Sequence, residues 1–175
     1  MANVVTKIQE ISSTSTSFTF TSIPATYDDL MIIGSAKNSH TSSSNLPPNS
    51  CYMRFNGDTG SNYGFAWWGS YDASFYGPLQ LNVTNIELPF IATSESSNVG
   101  FGHYWIHIPG YKETSSAKSG LFAGGWSQSS SAPSGSFRGA LTWTGTAAIS
   151  SILIGASYAS YVTGTNATLY GISNA

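Results

Sequence analysis

Residues 17–23 show the pattern that runs through the chain. Phe18 and Phe20 fall on one side of an extended backbone and Thr19 and Thr21 on the other, the two-residue period of a half-buried strand. A first strand, 4–11, precedes it across the polar run Ser12 to Thr16. Residues 29–36 (DLMIIGSA) follow the corner at Pro24 and are apolar on both sides from Leu30 to Ile33, which predicts a central strand covered on both faces. In 51–56, Cys51, Met53 and Phe55 alternate with Tyr52 and Arg54. The Asn56-Gly57-Asp58 sequence that follows tolerates positive φ and predicts a sharp reversal. Residues 63–70 form an aromatic strand in which Trp67 and Trp68 must point to opposite faces, one of them outward.

Leu79, Leu81 and Val83 alternate again. Residues 86–91 contain Pro89, which cannot donate to a ladder, so they read as an edge strand or a strand end. In 101–108, Phe101, His103, Trp105 and His107 share one face and Tyr104, Ile106 and Ile108 the other. The last strands are 120–127, 137–143, 148–156 and 167–173. No window of about 11 residues holds a helical apolar stripe free of glycine, proline or a Ser/Thr cluster. Ten or so short strands at near-regular spacing, without a repeat or a linker, predict one all-β domain over 1–175. The architecture expected is an antiparallel sandwich, jelly-roll-like, with the first strand and 167–173 side by side.

Composition changes the picture in one respect. Only 8% of the 175 residues are charged, against about 25% in a typical domain, and the net charge is -2. With six Lys and Arg there is no basic surface to track phosphates, so nucleic acid is not an expected partner. Hydroxyl residues carry the solubility instead. A surface poor in charge loses little on desolvation, which suits burial against a partner. Cys51 is the single cysteine, so neither an internal disulfide nor a cysteine zinc site can form. The first residues lack the basic and apolar regions of a signal peptide, and no apolar run approaches membrane-spanning length, so cytosolic synthesis and no membrane partner are expected.

Catalytic chemistry finds no pattern to stand on. His103 and His107 have the spacing of a zinc-protease pair, but on a strand they lie about 13 Å apart and read as sheet-face histidines. Asp28 and Asp29 point apart in extended chain, which suits turn capping and not a carboxylate pair. The 56–62 segment (NGDTGSN) is rich in oxygen ligands yet lacks calcium-loop spacing, and it reads as a structural turn. No nucleophile elbow, phosphate loop or dinucleotide fingerprint occurs, so neither enzyme activity, metal nor cofactor is expected. The cluster Phe65, Trp67, Trp68, Tyr71, Phe75 and Tyr76 offers either a platform for sugar rings or anchors for a protein interface. Trp67, Trp68, Tyr71, Phe75 and Tyr76 are the candidate partner-contact residues.

Three segments carry a resemblance: 20–30 (FTSIPATYDDL), 54–63 (RFNGDTGSNY) and 164–172 (GTNATLYGI). With these the chain resembles small β-sandwich virion structural proteins of tailed bacteriophages, cyanophage-like, which serve as capsid decoration (cement) proteins or as parts of fibres. The resemblance implies a non-enzymatic virion protein and by itself does not choose between capsid and tail; as a decoration protein it is expected on the capsid exterior, made in the bacterial host cytoplasm, with the major capsid protein as partner. It further implies a homo-oligomer, a trimer at local three-fold positions of the lattice. One compact unit without a repetitive shaft favours decoration over a fibre. The alternative is a tail-fibre or receptor-binding module that takes host glycan.

Overall fold

The structure, a computed structural model, describes residues 4–40, 51–71, 74–89, 92–93, 100–126 and 134–173. Within them every regular element is a strand: β1 (Val4–Ser12), β2 (Ser17–Phe20), β3 (Asp29–Asn38), β4 (Cys51–Phe55), β5 (Tyr63–Tyr71), β6 (Ser74–Tyr76) and β7 (Leu79–Val83). The series continues with β8 (Ile86–Leu88), β9 (Ala92–Thr93), β10 (Gly102–Pro109), β11 (Lys118–Trp126), β12 (Gly135–Trp143), β13 (Ile152–Ala156) and β14 (Asn166–Ser173). The predicted strands are all present, and the two added ones, β6 and β9, are two or three residues long. β8 stops at Leu88, one residue before Pro89, at the edge of its sheet, as a missing N–H donor requires.

Two sheets face each other. The larger runs β1-β14-β3-β10-β11-β12-β5-β6, with β7 also beside β5 and the short β9 parallel to β3; the smaller runs β2-β13-β4-β8. Every pairing except β3 with β9 is antiparallel. The first four strands step alternately between the sheets, and the last two step back between them. This places β14 between β1 and β3, and β13 between β2 and β4. The two ends of the chain therefore share a ladder, from Val4 opposite Ser173 to Ser12 opposite Asn166. An antiparallel β-sandwich is what the alternating apolar pattern encodes.

Alternation then decides what is buried. From the large sheet Leu30, Ile32, Tyr104, Ile106, Ile108, Phe122 and Leu141 point inward. They meet Phe18, Phe20, Met53, Phe55, Ile86, Leu88, Ile152 and Ile154 of the small sheet in one continuous core. Burial of each such side chain stabilises the fold by about 1.5–3 kcal/mol. One expectation is corrected here. β3 is central, but its second face is not covered among the described residues: Ile33 is 49% exposed. The apolar run Leu30 to Ile33 has another cause, a core face and an outer face that both carry large side chains.

The segments that carry the resemblance form the joints of this sandwich. Asn56 sits at φ 54°, and its amide ties the turn to the loop before β13. Its Nδ2 donates to the Ala148 carbonyl at 2.8 Å, and its Oδ1 accepts from the Ser150 and Ser151 N–H groups at 2.8 and 3.1 Å. The Tyr63 hydroxyl accepts from Phe55 N–H and donates to the Asp58 carbonyl, both at 3.0 Å. Around β3 and β10, the Asp28 carboxylate pairs with Lys112 at 2.8 Å, and Asp29 accepts from Gly110 N–H at 3.3 Å and contacts His107 Nε2 at 3.1 Å. Thr165 Oγ1 accepts from Lys37 N–H and donates to its carbonyl, joining the start of β14 to β3.

Candidate docking face

The inward set of β10, Tyr104, Ile106 and Ile108, leaves His103, Trp105 and His107 on the outer side of the large sheet. Register extends that side in rows. Trp105 stands opposite Ile33 on β3 and Ala123 on β11; Ala123 stands opposite Arg138 on β12, and Arg138 opposite Trp68 on β5. The next row holds Met31, His107, Leu121, Ala140, Ala66 and Leu79. Large apolar side chains stand exposed along both: Ile33, Trp105 at 41%, Leu121, Trp68 and Leu79, with Leu81 beyond on β7.

Relief on this face comes from small residues. β11 presents only Ala123 and Gly125 beside the Trp105 ridge, and a hollow of about 790 Å³ opens there, walled by Ile33, His103 and His107. A second hollow of about 420 Å³ lies between Trp68, Phe75, Gly124 and Arg138. The Arg138 guanidinium sits over the Trp68 ring, 4.9 Å from its centroid. The outer side of the small sheet is different in kind: Thr19, Tyr52, Arg54, Glu87 and Leu153 are each half-buried there, with Arg54 over the Tyr52 ring and donating to the Thr84 carbonyl.

The five candidate contact residues do not share one surface. Trp67 is 4% exposed and packs edge-on against Phe137, with centroids 5.1 Å apart, so it belongs to the core and is no contact residue. Trp68 is 53% exposed and Phe75 88%, and both lie on the outer side. Tyr76 is partly buried against the core. The Tyr71 side chain lies outside the described residues, as do residues 41–50 of the Pro47-Pro48 loop. Ile33, Trp105, Leu121, Leu79 and Leu81 were not among the candidates. For Ile33 and Trp105 the signal was present in sequence as strands with two substantial faces, 29–36 and 101–108, which a doubly covered strand would also produce.

The polar groups nearby do structural work. His107 is held by Asp29, and His103, four residues before it, lies on the far side of Trp105. No group of three or more metal-ligating side chains occurs among the described residues. In the 56–62 turn the Asp58 carboxylate accepts from Trp143 Nε1 at 2.7 Å, Asn62 Nδ2 at 2.9 Å and Gly60 N–H at 2.8 Å. These bonds, Trp143 first, hold its carboxyl below the usual carboxylate range. Burial pushes the Cys51 thiol up, away from thiolate chemistry. What the β10–β7 part of the outer face offers is apolar area, aromatic rings and one guanidinium held over a ring. Compared with protein-family models, with curated proteins and with solved structures, the chain matches none.

Proposed function

We propose that this is a structural protein of a tailed-phage virion, a decoration protein that binds and stabilises the capsid shell from outside through the outer face of its large sheet. The observation that supports this most is the row Ile33, Trp105, Ala123, Arg138 and Trp68, in which Ile33, Trp105 and Trp68 are exposed and apolar, Ala123 is half-buried and Arg138 is the one cation. Exposed apolar patches of this extent mark interaction sites. From β14 to β7 the face spans six inter-strand steps, about 29 Å at about 4.8 Å each, and about 24 Å along the strands. That is on the order of 700 Å², close to the ~800 Å² per partner of a standard interface.

Fold and resemblance support the same reading. With β5–β7 and β11–β12 taken as insertions, the remaining order β1-β14-β3-β10 over β2-β13-β4-β8 reads as a jelly roll, an architecture used by viral capsid proteins. It is used by lectins as well, and the hollow beside Trp105 favours a second reading, stacking of a host sugar ring in a receptor-binding module.

The two readings separate on purified capsids that lack the protein. Replacing Trp105 and Leu121 together by serine leaves the free fold nearly as stable, since both are exposed, and lowers shell occupancy at least tenfold. Unchanged occupancy of the double variant refutes docking through this face, and wild-type binding to host-surface glycan and not to shells refutes the decoration reading.

A further inference from the structure

Arg138 stands in the middle of the outer face, between Ala123 and Trp105 on one side and Trp68 on the other. Among the described residues it enters no ion pair; the pairs formed are Lys7 with Glu10, His107 with Asp29 and Lys112 with Asp28. In water that is no liability. Once the face is covered, a guanidinium that cannot lose its proton is cut off from solvent, and an unpaired buried charge is among the strongest penalties an interface can carry. A cation at the rim escapes by snorkelling. Arg138 is in a central row, held over the Trp68 ring at 4.9 Å, with exposed Trp105 and Leu121 towards one side and Phe75 and Leu79 towards the other.

We propose that Arg138, held over Trp68, is the specificity contact of the docking face and takes a carboxylate side chain, aspartate or glutamate, of the shell protein. This rests on the decoration reading. A guanidinium lying over an aromatic ring can still turn N–H donors away from the ring towards a carboxylate, and the hollow of about 420 Å³ beside it gives that side chain room. Among the described residues, the face offers a second copy no unengaged acid. Its two described carboxylates, Glu10 and Asp29, are already engaged by Lys7 and His107.

Arg138→Met and Arg138→Lys variants, titrated onto capsids lacking the protein at low and high salt, test this. Thermal midpoints of the free variants serve as the check on folding. Arg138→Met is expected to keep the wild-type midpoint, bind shells at least about thirtyfold more weakly and lose much of the salt dependence, with Arg138→Lys in between. Arg138→Met binding at wild-type strength or tighter, while the wild type does bind, overturns the carboxylate contact and leaves the decoration reading standing. Absence of wild-type binding to shells overturns both. Sedimentation in which the wild type self-associates and Arg138→Met does not would assign the carboxylate to a second copy, and this too overturns the proposal.

Discussion

Trp67 points inward against Phe137 and Trp68 outward beneath Arg138, because consecutive side chains on a strand take opposite faces. Their losses on truncation should differ accordingly. Trp67→Ala removes a ring from a packed aromatic pair and should cost about 3–5 kcal/mol of stability. Trp68→Ala gives up exposed area and a surface cation–π contact, about 1 kcal/mol or less. Denaturant unfolding of the two variants measures the difference, and equal losses would contradict the facing assigned to β5.

At the scale of elements, the turn 56–62 shows how a motif that looks like a ligand site can be spent on architecture. Asp58 draws Trp143, Asn62 and Gly60 together, and its folded carboxyl lies below the ordinary 3.8. A carboxyl lowered by folding stabilises the native state fully above its unfolded value and loses that contribution as pH falls through the folded one. Stability of the wild type should therefore decline below about pH 4. Asp58→Asn should be less stable at neutral pH and change less over that acid range. Denaturant midpoints taken from about pH 6 to about pH 2 check the sign; parallel curves for the two proteins would contradict it.

The strands themselves were legible in sequence wherever one face was polar, as in β2, β4 and β8. The Asn56 turn was legible from residues that accept positive φ. What strand sequence could not convey was which of two apolar faces is covered. Met31 and Ile33 alternate with Leu30 and Ile32 as they would in a doubly covered strand, and only the register that lines Ile33 up with Trp105 and Ala123 reveals an open face. For the same reason Trp67 and Trp68 looked equivalent as anchors. β6 was missed because three residues beside Tyr71 carry no period to read.

At the scale of the whole molecule, the two sheets divide the labour. The small sheet closes the core and turns a mixed polar side outward, and the large sheet adds β11, β12, β5 and β7 beyond β10, strands whose outward residues include Arg138 as their one described charge. A homotrimer on the shell would repeat that face three times, so that modest single contacts add through effective concentration. The most direct measurement is a cryo-EM reconstruction of capsids decorated with the protein. The expected density is three copies around a local three-fold position, each with the outer face of β3, β10, β11, β12 and β5 against the shell and Arg138 beside an acidic side chain. Density with that face turned to solvent, or shells that carry no added density at saturating protein, would contradict it.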